Sequence, residues 1–118
     1  MDLVDALNDH LAARPTQASL LKTAGLDVTR SSMAQWLTRR SRIPAPHVVP
    51  LLATVDAEHR AEVACDELRN RLAVTDLPDM LTRILGADDL LRASTAKALG
   101  ITEATLRTWA AVAAGREA

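Results

Sequence analysis

The stretch LLKTAGLDVTRSSMAQWL, residues 20–37, followed by TRRSRIP at 38–44, decides how this chain is read. An alanine- and leucine-rich run at helical spacing reaches Gly25, the residue type that turns a helix end through positive φ. Thr29 or Ser31 then caps a second helix that runs to about Arg40, with Met33, Trp36 and Leu37 on its inward face. Two short helices joined at a glycine, the second running into Arg39, Arg40 and Arg42, form the pattern by which a protein presents a helix to a DNA groove.

The charge around this stretch is concentrated. Residues 14–47 hold Arg14, Lys22, Arg30, Arg39, Arg40 and Arg42 against Asp27 alone, six cations less one anion, or +5. The whole chain sums to −1, so the remainder carries −6. A basic block in an acidic scaffold focuses potential on one face while the scaffold resists indiscriminate binding.

Outward from the block, residues 2–13 place Leu3, Ala6, Leu7, His10 and Leu11 at helical spacing and stop before Pro15. Thr16 caps the next helix, residues 17–24. Residues 47–55 read as a short helix entered through Pro46 and bent or delayed by Pro50. Residues 56–74 are the longest helical stretch. Val63, Leu68 and Leu72 form its apolar stripe, and Glu58, Arg60, Glu62, Asp66, Glu67, Arg69 and Arg71 are assigned to its other faces. Thr75 or Asp76, with Pro78, opens a Leu-rich helix that stops near Gly86; Asp88 opens another that ends at Gly100, and a last one spans 102 to about 114. No period-2 segment supports a strand, so the predicted class is all-α.

The chain repeats its theme in RASTAKALGITEATLRTW, residues 92–109. The first copy takes eleven steps from its glycine to Trp36 and the second takes nine to Trp109, so either the first turn is two residues longer or its second helix starts later. The copies differ in chemistry. The first offers Thr29, Arg30, Ser31, Ser32, Gln35, Thr38, Arg39, Arg40 and Arg42; the second, spanning 92–114, offers Thr102, Thr105, Arg107 and Thr108 with Glu103 opposing Arg107. The first is the expected DNA reader. The second is a weaker second reader, or a copy reused for packing or dimerisation. The chain accordingly divides into a DNA-binding region, 1–55, and a helical region, 56–118, whose helices at 56–74 and 77–85 are the expected dimer surface.

At Gln17-Ala18-Ser19-Leu20-Leu21-Lys22, Gly25, Met33-Ala34-Gln35-Trp36-Leu37 and the basic run to Ile43-Pro44, the chain resembles Cro/repressor-like helix-turn-helix regulators of phages, plasmids and mobile elements. The resemblance covers residues 16–52, and Leu26-Asp27-Val28 is longer than the usual turn. It implies that Thr29, Arg30, Ser31, Ser32, Ala34 and Gln35 face bases, that Gln17 meets a phosphate and braces Gln35, and that Thr38, Arg39, Arg40 and Arg42 grip the backbone. Met33, Trp36 and Leu37 are then core. The expected function is a sequence-specific transcriptional regulator, a repressor acting as a homodimer on double-stranded DNA. The competing reading is a protein-interaction module, an antiactivator, antitoxin or adaptor, that binds another regulator and reads no DNA.

Other classes find little support. His10, His47 and His59 share no ligand-like spacing with one another or with Cys65, so no metal is expected. No nucleophile elbow, phosphate-cradling glycine loop or nucleotide-cofactor motif is present; neither an enzyme, a cofactor nor a small-molecule effector is expected. Cys65 alone allows no internal disulfide, and no run approaches a membrane span, which leaves a cytoplasmic setting as the expectation. Trp36 and Trp109 read as packing residues and Cys65 as a small apolar one.

Overall fold

The computed structural model describes residues 1–13 and 17–115, and all the regular structure among them is helical. Eight helices follow one another: α1 Leu3–Ala13, α2 Gln17–Ala24, α3 Arg30–Leu37, α4 Ala45–Leu52, α5 Ala57–Leu72, α6 Leu77–Leu85, α7 Asp89–Leu99 and α8 Glu103–Ala113. The all-α expectation holds. The expected stop at Pro15 and the cap at Thr16 lie outside the described residues, as does Arg14.

Helix ends follow the local chemistry. Asp76 and Asp88 each accept a backbone N–H three residues on, from Asp79 and Leu91, satisfying donors that a first turn leaves orphaned. Gly25 and Gly100 sit at φ 69° and 71° and close α2 and α7 in the same way. Gly25 N–H donates to Lys22 and Leu26 N–H to Leu21; Gly100 N–H donates to Lys97 and Ile101 N–H to Ala96. α4 starts earlier than the sequence suggested, at Ala45, and continues through Pro50. Pro46 sits in its first turn, where the missing N–H deprives no carbonyl.

Two groups of helices share one core. α3 packs on α1 and α2, while α8 is central to the second group and touches α4, α5, α6 and α7. α5 joins the groups, packing on α1, α4 and α8. The inward residues of α8, Leu106, Trp109 and Ala110, are fully buried, and Trp109 Nε1 donates to the Ala64 carbonyl at 3.2 Å. Truncating Leu106 to Ala at such a site costs about 2–5 kcal/mol.

The structure corrects the reading of α5. Glu67 and Arg71, assigned to its outer faces, turn inward with side chains 11% and 7% exposed. Glu67 Oε2 accepts the Arg71 Nε–H at 3.1 Å, and its Oε1 accepts the Leu3 N–H at 3.0 Å, capping α1. Arg71 Nη2 donates to the Ile43 carbonyl at 2.6 Å, and the guanidinium lies 5.8 Å from the centre of the Trp109 ring. One i,i+4 pair thus fixes the start of α1, the loop after α3 and the indole of α8. Charges leave water only where such partners exist.

Candidate nucleic-acid interface

The two glycine-turned units share their turn and cap geometry and differ in turn length. Thr29 (φ −78°, ψ 157°) and Thr102 (φ −77°, ψ 158°) both cap the following helix, each accepting at 3.1 Å the N–H three residues on, of Ser32 and Thr105. From cap to tryptophan the spacing is identical, Thr29 to Trp36 and Thr102 to Trp109; the first turn carries Leu26, Asp27 and Val28 where the second has Ile101 alone. The cap is therefore Thr29 and not Ser31, and the first turn is longer by two residues.

The capping chemistry separates the hydroxyls from the guanidiniums. Thr29 Oγ1 is also bonded to Ser32 Oγ at 3.2 Å, and Thr38 Oγ1 donates to the Ala34 carbonyl at 2.8 Å. The hydroxyls of Thr29, Ser32 and Thr38 thus complete the ends of α3. Arg30 and Ser31 are exposed in the first turn and make no hydrogen bond or ion pair among the described residues. Arg30 stands where the helix dipole already favours anions, whereas α5, α6, α7 and α8 all place a carboxylate in that turn. Nothing among the described residues pairs with a cation there.

Gln35 is exposed on the same face. Its Oε1 accepts the Ser41 hydroxyl at 3.1 Å, which leaves the amide nitrogen as a donor to the outside. Ser41 braces it; the expected brace from Gln17 falls on a side chain outside the described residues. Met33, Trp36 and Leu37 are buried as expected, with the Trp36 ring tilted against His47 at 5.7 Å.

The arginines divide. Arg39 adopts φ 61°, the left-handed turn that normally takes glycine, with Arg40 N–H donating to the Gln35 carbonyl at 2.9 Å. Its guanidinium points back to α1, bonding Asp2 at 2.9 and 3.1 Å and Asp5 at 3.0 Å. These carboxylates raise the Arg39 pKa further, and the Arg39 hydrogen bond is the first cause holding Asp2 below the usual carboxylate range. Arg40 and Arg42 are exposed without an ion pair among the described residues. Arg30, Ser31 and Gln35 on α3 and Arg40 and Arg42 in the loop after it are thus exposed without an ion pair among the described residues, whereas Arg39 is tied to Asp2 and Asp5.

The second unit offers less. Thr102 and Thr105 bond each other at 2.9 Å, and Thr108 donates to the Ala104 carbonyl at 3.1 Å. Arg107 is exposed and unpaired among the described residues, but Glu103 takes the place of Arg30. Arg92, which matches Gln17 in the repeat, is buried, bonding the Ile84 carbonyl at 2.7 Å and Asp89. The apolar residues of the expected dimer surface also face inward: Val63, Ala64 and Leu68 of α5 and Leu77, Leu81 and Ile84 of α6 are buried. Large apolar side chains stand exposed only at Met1 and Leu90 among the described residues. Cys65 donates its thiol proton to the Ala113 carbonyl at 3.0 Å, and burial is the first cause raising its pKa.

Sequence reasoning missed Asp2, Asp5, Glu67 and Arg71 as the residues that tie the loop after α3 to α1 and α5. The i,i+4 spacing of Glu67 and Arg71 was the available signal, but it fits an exposed helical pair equally well. Against protein-family models, curated proteins and solved structures, the chain finds no match.

Proposed function

We propose that the protein is a sequence-specific DNA-binding regulator that lays α3 in the major groove. The observation that carries the reading is the outward face of α3 and its following loop, where Arg30, Gln35, Arg40 and Arg42 keep donors that the fold does not use. Arg30, Ser31 and Gln35 contact base edges, and Arg40 and Arg42 hold phosphates. The protein acts as a homodimer on a palindromic site and represses by occlusion, since one short helix gathers few contacts alone. α8 serves as the packing copy of the same unit.

The test is a mobility shift at two salt concentrations, with selection of bound sequences from a random pool to report the site and its symmetry. Binding should weaken steeply with salt, and Arg40→Ala with Arg42→Ala should lower the log–log salt slope by about 2 while thermal unfolding is unchanged. A wild-type protein that retards no DNA at low salt leaves the adaptor reading in its place.

A further inference from the structure

Between the last turn of α5 and the loop after α3 lies a cleft of about 300 Å³, lined by Arg39, Arg42 and Arg71 together with Asp2, Glu67 and Asn70. Arg39 is matched by Asp2 and Asp5 and Arg71 by Glu67, while the Arg42 guanidinium makes no ion pair among the described residues. Asn70 is exposed, and its amide makes no hydrogen bond among the described residues.

Arg71 adds the second observation. Its side chain is more than nine-tenths buried, and its Nε and Nη2 are taken by Glu67 and Ile43, while Nη1 has no partner among the described residues. No enclosed side-chain nitrogen or oxygen among the described residues lacks a hydrogen bond, so this Nη1 keeps some solvent contact, and Arg71 is one of the residues that line the cleft. Three donor side chains, those of Arg42, Arg71 and Asn70, thus line one small opening, and the Arg42 guanidinium there has no ion-pair partner among the described residues.

We propose that this cleft seats one phosphodiester group of the DNA backbone, so that α5 adds Asn70 and Arg71 to the contacts made from α3. The inference rests on the DNA-binding reading above. A phosphodiester carries a single negative charge and offers two free oxygens, which suits one unpaired guanidinium and the donors beside it; a phosphomonoester at neutral pH brings nearly twice that charge beside Asp2 and Glu67. Arg71, already pinned by Glu67 and Ile43, loses little freedom on meeting the phosphate.

The experiment measures binding of the full chain to a labelled duplex of mixed sequence across a salt series, because a backbone contact is indifferent to sequence. Asn70→Asp, which sets a carboxylate at the rim, should weaken binding about tenfold and lower the log–log salt slope by about 1; Arg42→Ala should do the same. Asn70→Ala, which removes the donors and adds no charge, should weaken binding by less than Asn70→Asp. In a parallel nuclear magnetic resonance titration the Asn70 side-chain amide should shift with the duplex. Asn70→Asp at wild-type affinity and slope, while Arg40→Ala binds more weakly, overturns the cleft and leaves the DNA reading standing. An Asn70 amide that shifts with inorganic phosphate and not with the duplex overturns the diester as its occupant. A wild-type chain that binds no duplex overturns the reading beneath both.

Discussion

Arg39 joins the end of α3 to the start of α1, its Nη1 and Nη2 lying 2.9 and 3.1 Å from the two carboxylate oxygens of Asp2. The same residue holds the left-handed turn that ends α3, so it determines both where that helix stops and how α1 lies across it. Asn8 strengthens the crossing by donating its amide to the Leu37 carbonyl at 3.2 Å.

The pH dependence of this clamp has a definite sign. The folded-state pKa of Asp2 lies below its unfolded value, so the stability it contributes is full above about 3.9 and is lost as pH falls through the lower folded value. Asp2→Asn should therefore destabilise the protein at pH 7 by less than about 1 kcal/mol, as expected of a pair whose arginine is half exposed. Urea unfolding at pH 7 and below pH 3 checks this: the gap between wild type and variant should narrow in acid, and a constant gap refutes it.

Position 39 also separates backbone strain from side-chain bonding. Arg39→Ala loses the Asp2 and Asp5 bonds and keeps the positive φ, whereas Arg39→Gly loses the bonds and relieves the strain. The Gly variant should be the more stable of the two by about 1 kcal/mol. Neither should lower the salt slope of DNA binding as far as Arg40→Ala does, because Arg39 is already occupied.

Ala73 ends α5 at φ 51° and ψ 43°, another left-handed position held by a residue with a Cβ. Ala73→Gly should raise stability by about 0.5–1 kcal/mol in denaturant melts, and Gly100→Ala, at φ 71°, should lower it by about 1–2 kcal/mol. An added Cβ at Gly100 meets nothing within 4 Å, so that cost is conformational alone.

Glu67 and Arg71 stand or fall together. Glu67→Ala leaves a buried guanidinium beside Trp109 and uncaps α1, and should cost about 3–5 kcal/mol. Replacing both, Glu67→Met with Arg71→Leu, should recover much of that loss. A double variant as unstable as Glu67→Ala would show that the Leu3 and Ile43 backbone bonds, and not the lone charge, dominate.

The second glycine-turned unit has its own test. If α8 reads DNA, Arg107→Ala weakens specific binding by about 1–3 kcal/mol. With the three threonine hydroxyls of that unit already bonded, the expected result is no change.

The helices were legible because their signals are local. Gly25, Gly100, Thr102, Asp76 and Asp88 act within one turn of themselves, and the chain places each where its neighbours require it. α4 and the end of α3 were read less well. Pro46 and Pro50 gave competing local instructions, and Arg39 takes a backbone conformation that its residue type disfavours unless distant partners hold it.

The candidate site was legible as a region and not as an assignment of roles. Arg39, Arg40 and Arg42 are equivalent in sequence, and the fold separates them by bringing Asp2 and Asp5, more than thirty residues away, against the first alone. Glu67 and Arg71 could not be told from a solvated pair, because their partners are the backbone of Leu3 and Ile43 and the ring of Trp109. Sequence alone determined the all-helical class, the glycine turns and the concentration of charge, since each depends on residue type and short-range spacing, whereas the choice of Thr29 over Ser31 and of Asp76 over Thr75 as caps came from the fold. The tertiary structure alone decided which cations remain free to meet a partner, because pairing between charges depends on distances through space that no local pattern encodes.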